Sequence, residues 1–216
     1  METPFSGWRE GRRHYLPWFV IAAIATAALW FYGYAWLGIP LFMFACGTLL
    51  FFRDFPRSVT ESPGEVIAPA DGTVVAIEEL IETPHYEGSC LRISIFMSVF
   101  NVHVNRAPCD CTVRDIRYAP GAYKNAMKEE ASRVNESNAI WLDTQWGPVT
   151  VRQISGAIAR RIVCPAKPGI TLKQGEKFGM IKFGSRVEVY LPVGAKASVA
   201  LNQKTRAGIT LLAKFK

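Results

Sequence analysis

The chain of 216 residues carries a formal net charge of +7, and 50% of its residues are hydrophobic while 20% are charged. This length is enough for one domain with its own core, with or without an appendage. The basic charge is typical of nucleic-acid-binding proteins, but no aromatic–basic pattern or nucleic-acid motif accompanies it, so a nucleic-acid partner is excluded. Five cysteines without a C-x-x-C spacing predict reduced, structural thiols and no metal site, which favours a cytoplasmic location for the domain.

The first feature along the chain is an apolar segment over residues 16–52, which contains no Asp, Glu, Lys or Arg. Gly33, Gly38 and Pro40 interrupt this segment. They predict two apolar helices of about 17 and 13 residues, each shorter than the ~20 residues that span a bilayer. The sequence therefore predicts a membrane-associated helical hairpin within residues 1–52, followed by a soluble domain over residues 53–216.

Basic residues flank the apolar segment on both sides: Arg9, Arg12, Arg13, Arg53 and Arg57. They suit an anionic lipid surface, and positive charge at both ends places both ends on the same side of the membrane, which we expect to be the cytoplasmic face. Two alternatives stay open. Residues 25–27 resemble the cleavage site of a secretory signal, and an apolar hairpin also fits the buried core of a soluble protein.

Residues 57–216 predict a mainly β fold of sandwich or barrel type, because short runs of alternating apolar residues are separated by turns rich in Gly and Pro. One or two helical turns are predicted within residues 122–133. The predicted strands are Glu65–Ile67, Gly72–Ile77, Leu91–Phe96, Asn101–Asn105, Cys111–Tyr118, Ala139–Asp143, Val149–Ile154, Arg161–Cys164, Phe178–Tyr190, Ala197–Leu201 and Thr210–Phe215.

The chain contains three histidines, of which His103 is the strongest candidate for chemistry. It lies in FNVHVNR, where the period-two spacing of a strand places Asn101, His103 and Asn105 on one face. Such a polar face is most often exposed to solvent. His14, in the basic lead, and His85, in a polar loop, are predicted to be solvated.

Two further candidates have ordinary structural explanations when each is considered by itself. Asp71 belongs to an Asp-Gly dipeptide, which is common in turns. Ser185 follows Gly184 inside MIKFGSRVEV, which otherwise has the pattern of a half-buried strand. A glycine at such a place usually marks a bulge, a bend or a close approach of the backbone.

Several separate motifs occur in the order found in phosphatidylserine decarboxylases of the short bacterial and archaeal branch. These motifs are FFRDFPR, APADGTV, FMSVFNVHVNR, NESN, QISGAIARRIV, GEKFGMIKFGSRVEVYLP and AGITLLAKF. The chain resembles this family over nearly its whole length.

The resemblance implies that the chain cuts itself between Gly184 and Ser185. The products would be a large β chain of residues 1–184 and a small α chain of residues 185–216, which stay together as a heterodimer. The Ser185 hydroxyl would attack the preceding carbonyl, and elimination and hydrolysis would leave a pyruvoyl group at position 185. By the same resemblance, His103 is the base for this step and Asp71 orients His103.

The implied activity is the decarboxylation of phosphatidylserine to phosphatidylethanolamine in phospholipid biosynthesis. The pyruvoyl group derived from Ser185 would form a Schiff base with the substrate amine and accept the electrons that CO2 leaves behind, without a metal. Phe100 departs from the family, because many members carry a second histidine there. Two alternatives remain: decarboxylation of another serine phospholipid such as archaetidylserine, and a membrane-anchored β-sandwich binding module that never cleaves.

Overall fold

The computed structural model of the protein describes residues 5–59, 62–157, 161–182 and 184–216. The chain divides into two compact units, one formed by Ser6–Phe55 and a larger one that contains Pro56–Lys216. The first unit is helical and the second is mainly β, so the predicted fold class is confirmed.

The helical unit consists of α1 (Gly7–Phe31), a short 3-10 helix (Ala35–Gly38) and α2 (Ile39–Phe51). The two helices are separated where the sequence predicted, and Gly33 adopts a φ of +79° just after α1. The predicted length of the first helix was wrong, because α1 continues through Pro17 and includes the basic lead. A Glu10–Arg13 ion pair of 2.7 Å, one helical turn apart, supports this added part.

With its 25 residues, α1 is long and apolar enough to cross a membrane by length and composition. Many of its apolar side chains are exposed, among them Ile24 and Phe31. Gly11 permits the close packing of the unit, because a Cβ atom at this position would lie 2.2 Å from Cγ of Phe52.

The larger unit contains one short helix and fourteen strands within the described residues. The helix is α3 (Glu130–Val134), and the strands are β1 (Glu65–Ile67), β2 (Gly72–Leu80), β3 (Cys90–Met97), β4 (Val104–Arg106), β5 (Cys111–Ala119), β6 (Ser137–Thr144), β7 (Gly147–Ser155), β8 (Arg161–Val163), β9 (Thr171–Leu172), β10 (Lys177–Lys182), β11 (Ser185–Pro192), β12 (Lys196–Ala197), β13 (Lys204–Thr205) and β14 (Leu211–Lys214).

These strands form three sheets. The largest has eight strands in the order β13-β2-β3-β11-β7-β6-β5-β9, and the other two have the orders β4-β10-β8 and β1-β14-β12. Strand β11 lies inside the large sheet, paired antiparallel with β3 on one side and with β7 on the other. Alternate residues of these strands, such as Ile95 of β3 and Val187 of β11, are fully buried in the main apolar core. Burial of each such side chain is worth about 1.5–3 kcal/mol.

The clearest difference from the predicted strands concerns residues 178–190, which were predicted as one strand. Strand β10 ends at Lys182 and belongs to a three-stranded sheet, whereas β11 begins at Ser185 and belongs to the large sheet. Gly184 lies at this change of sheet with a φ of +66°, in the left-handed region that favours glycine. The glycine thus marks a corner between two sheets, and residue 183 lies outside the described residues.

Smaller differences concern short strands. The strand predicted from Asn101 begins only at Val104, because the Asn101 side chain accepts a hydrogen bond from the Ser98 N–H (2.9 Å) and closes a turn. The strand predicted over residues 197–201 is reduced to β12. Strands β9 and β13 were not predicted, since two residues are too few to show an alternation.

Candidate active site

The ends of four neighbouring strands lie side by side along one edge of the eight-stranded sheet, the edge that is formed by strand ends and not by an outermost strand. The neighbouring strands are antiparallel, so the beginnings of β2 and β11 lie beside the ends of β3 and β7. The register pairs Ser185 with Met97 on one side and with Ser155 on the other. This edge therefore brings together residues that are far apart in the sequence.

The Gly184–Ser185 peptide lies at this edge, and Ser185 has no solvent exposure. The Ser185 hydroxyl donates to Sδ of Met97 over 3.3 Å. A thioether is a weak acceptor, so this contact holds the hydroxyl only loosely. The serine is buried yet remains available for a stronger partner.

His103 lies beside the N–H of Gly184, which is one residue's backbone away from the Gly184–Ser185 peptide bond. Its imidazole is fully buried, with Nδ1 2.9 Å from the Asn101 carbonyl oxygen and Nε2 3.3 Å from the Gly184 nitrogen. A carbonyl only accepts and a backbone N–H only donates, so these partners assign the proton to Nδ1 and the lone pair to Nε2. The lone pair on Nε2 accepts the Gly184 N–H in this state, and it can act as a base for a proton from the neighbouring Ser185 once this long hydrogen bond opens.

The structure thus brings His103, Gly184 and Ser185 together, although periodicity indicated a solvent-exposed face for His103 and Asn105. That exposure was wrong, because both residues are fully buried. The eight-stranded sheet covers this face, since Gln153 of β7 and Met97 of β3 contact Asn105, which a pattern within one strand does not reveal.

Asp71 lies at the same edge, just before β2, but its carboxylate is bound elsewhere. Oδ2 accepts from Arg57 over 2.8 Å and Oδ1 accepts from the Ala207 N–H over 2.7 Å. Strands β2 and β11 are separated by β3, which corresponds to two strand spacings or about 10 Å between their backbones. The His103 Nδ1 contact described above is made with the Asn101 carbonyl, so a role for Asp71 in orienting His103 stays a prediction.

A chain of buried amides lies behind Ser185 and was missed by sequence reasoning. Gln153 donates to Asn105 over 2.9 Å and accepts from Asn138 over 3.2 Å. The Asn105 amide in turn lies 3.9 Å from Sδ of Met97, the atom that contacts Ser185. Two signals were present in the sequence: the period-two spacing of Asn105 and His103, and the family motifs, which contain Met97, Asn138 and Gln153 but gave these three residues no role.

The opposite face of β11 carries a buried ionic cluster formed by Arg186, Glu188 and Tyr190. Nε of Arg186 lies 2.9 Å from the Glu188 carboxylate, and the Tyr190 hydroxyl donates to the same carboxylate over 2.6 Å. Burial alone would raise the pKa of Glu188, but the attraction of Arg186 and the Tyr190 hydrogen bond outweigh it and lower this pKa. Glu188 therefore stays ionised, and its bonds to Arg186 and Tyr190 stabilise β11 on the face opposite to Ser185.

His85 belongs to the surroundings of this cluster, and its predicted solvation was wrong. The imidazole is half-buried, and its ring centre lies 5.8 Å from that of Tyr190. Burial, assisted by the charge of Arg152, lowers the pKa of His85 to about 4. His14, by contrast, is exposed as predicted.

Metal ligation and thiol chemistry find no support in the part of the chain that the structure describes. It contains no group of three or more His, Cys, Asp or Glu side chains placed to hold a metal ion. The cysteines are free thiols. Burial raises the pKa of Cys111 to about 12 and that of Cys164 to about 11, so both are protonated at neutral pH and unreactive.

Comparison of the sequence with known proteins assigns the chain to a family. The family model described as phosphatidylserine decarboxylase matches residues 44–213. The chain belongs to the phosphatidylserine decarboxylase family. The recognition made from the motifs is thereby confirmed, as is the interpretation of the chain as a decarboxylase.

Relatives in this family match along most of their length. A phosphatidylserine decarboxylase proenzyme of Nitrosomonas eutropha is 46% identical over 209 residues, which are 96% of this chain and 94% of that protein. Proenzymes of the same name from Ralstonia pickettii and Burkholderia mallei are 44% and 42% identical, over 96% and 92% of this chain and 94% and 92% of theirs. These relatives are named as precursors, which agrees with a site built around a peptide bond of the chain itself.

Proposed function

We propose that this chain is a proenzyme that cuts itself between Gly184 and Ser185 and then converts phosphatidylserine into phosphatidylethanolamine. The observation that carries the proposal is the buried His103 imidazole, whose Nε2 lies 3.3 Å from the Gly184 nitrogen. The family and the names of the relatives support the same reaction.

The first step of self-cleavage is an acyl shift from nitrogen to oxygen. The Ser185 hydroxyl leaves Sδ of Met97, gives its proton to Nε2 of His103, and its oxygen forms a bond with the Gly184 carbonyl carbon. The C–N bond then breaks, and the Ser185 nitrogen takes up the proton. An ester replaces the peptide bond. Gly184 adopts its positive φ without strain, as only a glycine does readily, and so places this peptide at a corner of the chain.

The second step is an elimination. Loss of the Ser185 Cα proton expels the Gly184 carboxylate and leaves a double bond in residue 185. Addition of water to this residue then releases ammonia and leaves a pyruvoyl group at the start of β11. The new chain end at Gly184 thus forms in the elimination, and the pyruvoyl group at residue 185 forms in the hydrolysis that follows.

The surroundings of residue 185 fit a pyruvoyl group. The residue is buried, and the ladders to β3 and β7 hold the backbone that follows it on both sides. Such a group supplies an electron sink for decarboxylation. The α chain that carries it would remain bound to the β chain, because β11 is an inner strand of the large sheet.

We further propose that residues 1–52 bind the enzyme to the cytoplasmic face of the membrane and that residues 53–216 form the catalytic domain. The length and apolar composition of α1 support membrane association. The division of the chain into compact units between Phe55 and Pro56 supports a separate anchor. Basic residues on both sides of the apolar segment suit anionic lipid head groups.

Intact-mass measurement of the purified protein tests the proposal. The expected result is two chains, residues 1–184 and residues 185–216, with a blocked amino terminus on the smaller chain. An active decarboxylase that consists of one uncut chain would contradict it. A single, inactive chain would instead favour the membrane-anchored binding module. Parallel assays with diacyl and diether serine lipids decide between phosphatidylserine and archaetidylserine as the substrate.

A further inference from the structure

Two short turns lie beside the corner at Gly184. Val99 belongs to the turn that follows β3, and a Cβ atom at Gly184 would lie 3.8 Å from its Cγ1. Ala126 belongs to the turn that precedes α3. A Cβ atom at Gly156 would lie 2.3 Å from the Gly184 carbonyl oxygen and 3.2 Å from Cβ of Ala126, so Ala126 is a near neighbour of that carbonyl. Both turns therefore border the candidate site.

Side-chain hydrogen bonds fix the shape of both turns. In the first turn, the Asn101 side chain accepts from the N–H and from the hydroxyl of Ser98, each over 2.9 Å. In the second turn, the Asn125 side chain accepts from the Met127 N–H over 3.0 Å, and its carbonyl accepts from the Lys128 N–H over 3.1 Å. Asparagine commonly closes turns in this way. The backbone of each turn is thus held in one place beside the corner.

In each turn, the residue after the one that approaches the corner is apolar and exposed. Val99 is followed by Phe100, which is 85% exposed. Ala126 is buried and is followed by Met127, which is 57% exposed. Consecutive Cα atoms lie about 3.8 Å apart, so both exposed residues lie close to the corner. Single exposed apolar residues are common on soluble proteins, but these two border the same buried site.

The charge around these two residues suits an anionic surface. Residues 122–133 contain three basic and two acidic side chains, and residues 97–109 contain no acidic one. Of the acidic side chains, Glu130 is paired with Lys124. Lys128 is exposed directly after the second apolar residue. Exposed apolar side chains beside basic ones are typical of surfaces that bind anionic lipid.

We propose that Phe100 and Met127 dock the larger unit onto an anionic lipid bilayer, an inference that rests on the proposed lipid substrate. Residue 185 has no solvent exposure, whereas the amine of phosphatidylserine lies at the surface of a bilayer. Insertion of the two side chains among the head groups brings this edge of the sheet to the substrate, because aromatic and flexible apolar side chains bind well at that interface. An anchor holds a domain at a membrane, and a contact of the domain itself determines which of its surfaces faces the lipid.

The decisive experiment introduces the photoreactive amino acid p-benzoylphenylalanine into the full chain, at position 100, 127 or 81 in three separate proteins. Ile81 is the matched control, because it is apolar and 88% exposed but follows the far end of β2. The nine residues of β2 place that end about 30 Å from the edge that contains the site. Vesicles of phosphatidylcholine and phosphatidylglycerol in equal amounts contain no substrate, so a lipid adduct does not report occupancy of the site.

Each protein is floated with the vesicles, irradiated and measured by intact mass. Positions 100 and 127 should gain the mass of one phospholipid, and this gain should be lost at position 81. Equal labelling at positions 100 and 81 would overturn the inference, as would floated protein without an adduct at position 100. Cross-linking of two protein chains through position 100 would also overturn it, because this surface would then join copies of the chain. Protein that does not float at all would refute the proposed anchor together with the inference.

A kinetic comparison tests the consequence for turnover. The double variant Phe100→Ser, Met127→Ser is assayed on phosphatidylserine in vesicles and on a short-chain, soluble phosphatidylserine. Full burial of one large apolar side chain corresponds to a factor of about 10–100, so the ratio of vesicle turnover to soluble turnover should fall about tenfold. Ile81→Ser should leave the ratio unchanged. An unchanged ratio in the double variant, at wild-type thermal stability, would contradict the inference.

Failure of the inference and failure of the proposed function are distinguishable. If the inference alone fails, the wild-type chain still gives two chains by mass and still decarboxylates the lipid, but position 100 carries no adduct. If the proposed function fails, the wild-type chain remains uncut or does not act on phosphatidylserine, whatever the labelling shows.

Discussion

Replacement of His103 by glutamine removes the basic nitrogen that lies 3.3 Å from the Gly184 nitrogen. The substitution keeps a polar side chain of similar length at a position without solvent exposure. A carboxamide is not a base at neutral pH, so the Ser185 hydroxyl loses the acceptor of its proton. Loss of a general base typically slows a reaction about 10²–10⁴-fold, or about 2.7–5.4 kcal/mol in activation free energy. Self-cleavage of His103→Gln should slow within this range.

The assay follows uncut precursor by denaturing electrophoresis and intact mass after cell-free synthesis. His85→Gln is the matched control, since it replaces a partly buried imidazole that contacts Tyr190 on the opposite face of β11. Thermal unfolding of both variants measures any loss of stability. If His103→Gln is folded and cleaves within about threefold of the wild-type rate, which is about 0.65 kcal/mol, His103 is not the base.

The remaining predictions address the nucleophile, the carboxylate, pH and the membrane. Ser185→Ala should remain one chain, fold and be inactive by mass and lipid assay; any cut would refute the cleavage site. If Asp71 only orients His103, Asp71→Asn should slow cleavage less than His103→Gln does. Arg57→Gln breaks the Arg57–Asp71 ion pair and leaves the carboxylate in place. If Arg57→Gln slows cleavage as much as Asp71→Asn does, Asp71 acts only through its bond to Arg57. His85 binds protons more readily when unfolded, since its folded pKa is about 4 and its unfolded pKa is about 6.5; stability should therefore fall as pH falls from about 6.5 to 4, and His85→Gln should flatten that slope in thermal melts. Detergent but not high salt should release the protein from membranes, and release by salt alone would refute hydrophobic anchoring by residues 1–52.

The sequence predicted the β-rich fold well, because alternation along single strands reports which residues face a core. It failed between residues 178 and 190 for a physical reason. The apolar positions Ile181, Val187 and Val189 keep the same parity across Gly184, although they belong to strands of different sheets. Alternation describes the two faces of a strand but not the partner beside it, so a change of sheet is invisible unless a residue such as glycine marks it.

The candidate site was predictable mainly through family motifs. Periodicity placed His103 and Asn105 on one face but indicated exposure, because the covering sheet is assembled from residues far away in the chain. The bond of Asp71 to Arg57 and the approach of Gly156 to Gly184 depend on long-range register, which one sequence does not state. Contacts within one strand were thus accessible, whereas contacts between strands required the structure.

The corner between β10 and β11 has a consequence for the lifetime of the enzyme. If the chain is cut there, the small chain still supplies an inner strand of the large sheet and also β14, which pairs with β1. Native subunits interlaced in this way would not dissociate without unfolding. After unfolding, however, the tether at residue 184 is gone, and the fragments must find each other by diffusion instead of at the millimolar effective concentration that a short tether provides. The precursor would refold as one molecule, whereas the mature enzyme would be protected only by the height of its unfolding barrier.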